Sequence, residues 1–208
     1  MTTDEEEIKR ISEEFARKNR DQIAKAFTDK SKYTPENLPI SVFMAGSPGA
    51  GKTELSKRLI QILEKGRERR VVRIDGDEFR NQLPGYSGNN SYLFQTAISL
   101  IIERIHDMVL SNKQTFLLDG TFANYDKAVK NINRSLDKNR VVLIFYVYQK
   151  PELAWKFTEA REILEGRNIP KDIFIQQFLQ SRETLERIRR GFDKKVAIFL
   201  VKKNFVNM

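Results

Sequence analysis

Eight consecutive residues have the composition and spacing of a phosphate-binding loop. They read G-x-x-x-x-G-K-T and are Gly46, Ser47, Pro48, Gly49, Ala50, Gly51, Lys52 and Thr53. Glycines let the backbone curl so that successive N–H groups point at phosphate oxygens, and the start of the next helix adds partial positive charge. In this pattern the lysine reaches the β- and γ-phosphates and the threonine hydroxyl ligates Mg²⁺. The alternative is a glycine turn that merely joins a strand to a helix, but the full eight-residue pattern between the two is uncommon. The motif therefore predicts a nucleoside-triphosphate site with ATP and Mg²⁺ as cofactors.

The chain around this motif alternates between strand and helix patterns, which is typical of an α/β fold. We predict a parallel five-stranded sheet flanked on both faces by helices, as in P-loop NTPases and kinases. Ligands of such sheets bind at the carboxyl ends of the strands. The predicted strands are 40–45, 70–74, 114–118, 141–148 and 195–201, and the predicted helices are 52–65, 91–111, 124–138, 151–164 and 171–190.

The second predicted strand ends in Asp75-Gly76-Asp77. One of these two carboxylates could face the site while the other holds the turn. A carboxylate here could accept the proton of an acceptor hydroxyl, as the general base of a kinase does. The alternative is an Asp-Gly turn with no role in chemistry.

The third predicted strand ends in an apolar run followed by Asp119-Gly120-Thr121, the Walker B form. The carboxylate of Asp119 is expected to hold Mg²⁺, and Thr121 would then lie in the cleft as a hydrogen-bonding group for a substrate. The alternative is that Asp119 only caps the following turn.

The predicted helix 91–111 is apolar on nearly every side and should be buried. Glu103 lies in its middle, and because an unpaired carboxylate is costly to bury, it should face a cleft or an arginine. His106 shares the face of Glu103, but the chain shows no partners for a metal pair, so we interpret it as structural.

Two arginines follow the fourth predicted strand, Arg161 on a helix and Arg167 in the break before the next helix. Kinases place a lid here, and its arginines stabilise the charge of the transferring phosphoryl group. Arginines are abundant in this chain, so the alternative is that both lie on the surface.

Length and composition predict either one ordinary α/β domain or one with an appendage. The chain has 208 residues, a net charge of +9 and no cysteine. The positive charge favours anionic partners, and the absence of a signal peptide or an apolar spanning segment predicts a soluble, cytoplasmic protein with no membrane partner. Nucleic acid stays an alternative partner.

We divide the chain into a helical extension and linker at 1–39 and a kinase domain at 40–208, with a helical lid region at about 151–190. Thr3 and Glu6 have the spacing of a capping box for the first helix, whose apolar stripe is incomplete and could be broken in two.

With these residues in place, the chain resembles the zeta-toxin family of P-loop kinases, which act on UDP-N-acetylglucosamine. The resemblance runs from about residue 40 to about residue 190. Residues 74–80 (IDGDEFR) match the family's Ile-Asp-Gly-Asp-x-Phe-Arg motif, and Asp119-Gly120-Thr121 stands where the family has Glu-Gly-Thr. Arg161 and Arg167 match the two arginines of the family, although the segment between them is shorter here. The loop 84–90, where family members contact the sugar nucleotide, is also short.

The resemblance implies a role for each of these residues. Asp77 would be the catalytic base, Glu103 and Thr121 would hold the nucleotide sugar, and the two arginines would neutralise the transferring group. It also implies a toxin held in check by a small helical antitoxin. Two alternatives stay open: a kinase for another hydroxyl acceptor (a polynucleotide end, a nucleoside or an antibiotic), and a nucleotide-dependent switch protein without catalysis.

Overall fold

The computed structural model describes residues 2–66, 70–166 and 168–203 and has the predicted α/β architecture. All pairings in its five-stranded sheet are parallel, and the strand order is β2-β3-β1-β4-β5. The strands are β1 (Ile40–Ala45), β2 (Val72–Asp75), β3 (Phe116–Asp119), β4 (Val141–Tyr148) and β5 (Ala197–Lys202).

The described residues form seven α-helices, and 3₁₀ turns lie at Ser91–Phe94 and Asp193–Lys195. The helices are α1 (Thr3–Phe27), α2 (Lys52–Glu64), α3 (Asp77–Arg80), α4 (Gln95–Ser111), α5 (Tyr125–Leu136), α6 (Pro151–Glu165) and α7 (Lys171–Phe192). None of the described helices is long and apolar enough to cross a membrane.

Alternate residues of β1 pack on opposite faces of the sheet, since side chains of a strand point alternately up and down. Phe43 belongs to a large buried cluster that includes residues of α1, α4, α5 and α7. Val42 and Met44 belong to a smaller cluster that packs against α2. The central strand is therefore covered on both faces, which fixes its carboxyl end and the loop that follows it.

The N-terminal helix is one continuous element and joins the main core. Its capping box is formed by Thr2 and Glu5, so the prediction of Thr3 and Glu6 was wrong by one residue. The backbone N–H of Thr2 donates to Glu5 Oε2 over 2.8 Å, and the helix begins at the next residue, Thr3. Farther along, Arg104 of α4 binds Asp21 over 2.5 Å, and α1 lies along α4.

Some elements begin later than the sequence pattern predicts. The second strand begins at Val72 because the N–H of Val71 donates to the side chain of Glu64 over 2.8 Å rather than to a neighbouring strand. The helix predicted from residue 91 begins at Gln95, since the residues before it form a 3₁₀ turn.

Candidate functional site

The phosphate-binding loop joins β1 to α2 at the carboxyl edge of the sheet. Its backbone takes positive φ angles that L-residues with side chains rarely adopt, +131° at Gly46 and +68° at Gly49. A Cβ on Gly46 would collide with the carbonyl oxygen of Val147, and one on Gly49 would lie 2.7 Å from the hydroxyl of Thr158. Glycine is required at both positions because the loop packs closely on β4 and α6.

The side chain of Lys52 lies across this loop. Its Nζ donates to the carbonyl oxygens of Gly46 and Ser47 over 3.0 and 2.7 Å. The ammonium group is therefore held against the loop backbone, and in this motif the lysine reaches the phosphates.

Ser56, one helical turn after Thr53 in α2, contacts Asp119. The hydroxyl of Ser56 is within hydrogen-bond distance of both the Thr53 carbonyl oxygen (2.9 Å) and Asp119 Oδ2 (3.2 Å). The carboxylate is 6% exposed. A threonine hydroxyl and a carboxylate oxygen beside a phosphate loop are the hard oxygen donors that Mg²⁺ prefers, so these residues fit the metal.

Asp75 and Asp77 have different environments. Asp75 Oδ1 accepts the backbone N–H of Asp77 over 3.0 Å and so holds the turn. The carboxylate of Asp77 accepts hydrogen bonds from Arg80 Nε over 2.9 Å and from Arg161 Nη2 over 3.4 Å. Of the two carboxylates, Asp77 is the one that meets the arginine of the lid region.

The loop 84–90 touches the segment that joins α6 to α7. A Cβ on Gly88 would lie 3.0 Å from the carbonyl oxygen of Gly166, and the hydroxyl of Ser91 donates to the carbonyl of Asn168 over 3.2 Å. Arg80, which holds Asp77, also reaches the Ser91 carbonyl over 3.4 Å. Loop and lid segment therefore meet on the side of the site where Asp77 lies.

The remaining predicted site residues are placed as follows. The carbonyl oxygen of Thr121 accepts the N–H of Gly46 over 3.1 Å, so Thr121 adjoins the phosphate loop. Glu103 is half-exposed and pairs with Lys127 of α5 over 3.7 Å. We expected Glu103 to face a cleft or an arginine, and the cation that it meets is a lysine of the first turn of α5. Arg167 lies outside the described residues.

His106 has the surroundings of a structural histidine. It is 1% exposed, and its ring packs edge-on against Phe43 and Phe116. Burial, together with the nearby charge of Arg134, lowers its pKa to about 3, so the ring is neutral at physiological pH.

Sequence reasoning missed Arg73, which lies in β2 between buried apolar residues. Its guanidinium binds Asp75 Oδ2 over 2.5 Å, Glu78 over 2.7 Å and Asp119 Oδ2 over 3.0 Å. Burial raises the pKa of the Asp75 carboxyl, and the negative charge of Asp77 adds to this effect. The signal was a single cation in an apolar strand, two residues before a site carboxylate.

Lys203 was also missed. Its Nζ lies against Gly51, so close that a Cβ there would collide with it, and it is 3.6 Å from Glu54 Oε2. Lys203 follows directly on β5, so the signal was a cation at the carboxyl end of the last strand, the edge at which the phosphate loop lies.

Most of the chain matches the model of one protein family. A family model described as zeta toxin matches residues 23–206. The chain belongs to the zeta toxin family. Membership of this family, with its P-loop kinase-like fold, supports a nucleotide-dependent function of the kinase type. A search of curated proteins gives no significant match to the sequence.

Three solved structures illustrate the similarity of fold. A chain from the PezAT chromosomal toxin–antitoxin system of Streptococcus pneumoniae is 21% identical, with a TM-score of 0.68, over 96% of this chain and 78% of that one. The AvrRxo1-ORF1:ORF2 complex with ATP gives 14% identity and a TM-score of 0.60, over 92% of this chain and 62% of that one. A structure described as a putative kinase from Chloroflexus aurantiacus j-10-fl is 15% identical, with a TM-score of 0.57, over 81% of this chain and 90% of that one.

Proposed function

We propose that this protein is an ATP- and Mg²⁺-dependent kinase that transfers the γ-phosphoryl group to a hydroxyl of UDP-N-acetylglucosamine. The observation that carries the proposal is the contact between Asp77 and Arg161, 3.4 Å apart at the carboxyl edge of the sheet. It brings a proton acceptor and a cation of the lid region together on the same sheet edge as the phosphate loop. A protein that only binds nucleotide needs neither of them.

The loop amides and Lys52 hold the phosphates of ATP. Thr53 and Asp119 would hold Mg²⁺, which when bound neutralises charge on the β- and γ-phosphates. The Lys52 ammonium already contacts two carbonyl oxygens of the loop, beside the proposed phosphate site. These groups fix the γ-phosphorus in front of the acceptor.

Asp77 accepts the proton of the acceptor hydroxyl as the hydroxyl oxygen forms its bond to the γ-phosphorus. The bond from that phosphorus to the bridging oxygen breaks, and ADP leaves with the electron pair. Arg80 and Arg161 both contact the Asp77 carboxylate and hold it in place. Arg161 and Arg167 then neutralise the transferring group.

Glu103 and Thr121 are proposed to position the acceptor, with the nucleotide sugar taken from the family resemblance. Thr121 adjoins the phosphate loop through its hydrogen bond to Gly46. Glu103 is half-exposed and paired with a lysine, so it stays accessible to a polar ligand. The loop 84–90 borders the site on the side where Asp77 lies.

Mass spectrometry of a reaction mixture tests the proposal. The protein is incubated with ATP, Mg²⁺ and UDP-N-acetylglucosamine, and Asp77→Asn serves as the control. We expect a product heavier by one phosphoryl group that is missing with the variant. ADP without this product would keep the kinase and discard the acceptor, and polynucleotide ends, nucleosides and antibiotics would then be screened. ATP binding without ADP formation for any acceptor would favour a nucleotide-dependent switch.

A small helical antitoxin is the protein partner that we propose. Family membership supports it, and one structure with the same fold comes from a toxin–antitoxin system. Expression in a bacterium should arrest growth, and Asp77→Asn should not. Equal growth arrest by the two proteins would separate toxicity from phosphoryl transfer.

A further inference from the structure

Arg73 is a charged residue enclosed by the sheet edge that carries the site. Its side chain is 17% exposed, and its neighbours in β2, Val72 and Ile74, are fully buried. Three carboxylates surround the guanidinium, and two of them share one nitrogen: Nη2 lies 2.5 Å from Asp75 Oδ2 and 3.0 Å from Asp119 Oδ2.

Nη1 of the same side chain lies 2.7 Å from Glu78 Oε1. One cation thus faces three anions, two of them little exposed, with side-chain exposures of 14% for Asp75 and 6% for Asp119. Such a group of carboxylates needs a compensating charge, because like charges at this depth repel strongly. Arg73 supplies that charge.

We propose that Arg73 is a resident cation that keeps free divalent ions off Asp119, so that the site takes metal only together with a nucleotide. The inference rests on the proposed function in using Asp119 as the metal carboxylate. The guanidinium repels an incoming metal ion, and the added negative charge of the nucleotide phosphates overcomes this repulsion. Arg73 is accordingly a positioning residue and touches no reacting atom.

The surroundings of Arg73 agree with this role. Among the described residues, no three histidine, cysteine, aspartate or glutamate side chains are grouped so that they could hold a metal ion. Asp75 Oδ2 and Asp119 Oδ2 converge on a nitrogen rather than on an open space. The Ser56 hydroxyl also lies 3.2 Å from Asp119 Oδ2, so this oxygen is enclosed by polar groups of the protein.

The size of the effect follows from what one charge does to a neighbouring carboxylate. A cation within about 4–6 Å lowers the proton affinity of a carboxylate by roughly 10- to 1,000-fold. A divalent ion feels the same repulsion at least as strongly as a proton. Replacing Arg73 with an uncharged residue should therefore tighten metal binding by about tenfold or more.

The test is a titration of the nucleotide-free protein with Mn²⁺. Electron paramagnetic resonance measures the concentration of free Mn²⁺ at each step. Arg73→Gln and Arg73→Met remove the charge, Arg73→Lys keeps it, and Arg104→Gln removes an arginine that binds an aspartate far from the loop. We expect Arg73→Gln and Arg73→Met to bind Mn²⁺ about tenfold or more tightly than wild type. Arg73→Lys and Arg104→Gln should behave as wild type does. Adding Asp119→Asn to Arg73→Gln should abolish the gain.

Equal Mn²⁺ affinity of Arg73→Gln and wild type would overturn the proposal. So would tight binding of Mn²⁺ by the nucleotide-free wild type, a result that needs no variant to fold. The titration contains neither ATP nor an acceptor, so its outcome does not depend on phosphoryl transfer. If the product of the kinase assay fails to appear while the titration gives the expected gain, the proposed function fails and the role of Arg73 stands.

Discussion

Acidification should destabilise this protein through His106. The side chain is 1% exposed, and burial, helped by the charge of Arg134, lowers its pKa from 6.5 to about 3. In the unfolded chain the ring takes up a proton near pH 6.5, whereas the folded chain resists it until the pH nears 3. The stabilisation is therefore complete above pH 6.5 and is lost as the pH falls below it.

The magnitude follows from the two pKa values. Each pH unit between them is equivalent to about 1.4 kcal/mol. Between about pH 8 and pH 5, the protein crosses about 1.5 units of this window, so His106 should lower the free energy of unfolding by about 2 kcal/mol.

Urea denaturation at both pH values measures the effect, with His106→Leu as the control. Other groups act in the opposite direction, since burial raises the pKa of the Asp75 and Glu78 carboxyls. The difference between wild type and the variant removes their contribution. If the two proteins lose the same stability between pH 8 and pH 5, His106 is not the group that causes the loss.

Three further substitutions have definite expected outcomes. Gly49→Ala should abolish ATP binding in a calorimetric titration, because the new Cβ would collide with the Ala154 carbonyl in a backbone that already has a φ of +68°. Gly191→Ala meets no atom within 4 Å and lies in α7, so it should raise the free energy of unfolding by about 0.5–1 kcal/mol. Gln114→Leu should lower it by about 1–3 kcal/mol, because the buried amide donates to the Thr28 carbonyl over 2.9 Å. Unchanged ATP affinity of Gly49→Ala would contradict the first expectation. A lower stability of Gly191→Ala would contradict the second, and an unchanged stability of Gln114→Leu the third.

The architecture could be predicted from the sequence because its signals are local and agree with one another. Apolar runs of strand length alternate with helical patterns, and the glycine spacing of the phosphate loop marks the first strand-to-helix junction. The family resemblance was likewise confirmed by the match to residues 23–206. Boundaries shifted where a side chain took over a backbone hydrogen bond, as Glu64 does for Val71.

The contacts between distant residues could not be predicted. Arg73 meets Asp119 only because β2 pairs with β3 in the register that places Asp75 opposite Asp119. Lys203 reaches Gly51 only because β5 lies beside β4. Glu103 found a lysine because α5 starts beside α4. In each case the partner depends on the order and register of elements far apart in the sequence.

In the proposed mechanism Asp77 serves as the base for phosphoryl transfer. The rate of ADP formation at saturating ATP and acceptor tests it, with Asp77→Asn compared with Glu78→Gln, the same change one residue along. We expect Asp77→Asn to lower the rate by about 100-fold or more with unchanged ATP affinity, and Glu78→Gln to have a much smaller effect. A rate for Asp77→Asn close to that of wild type would contradict the assignment of the base and with it the account of catalysis.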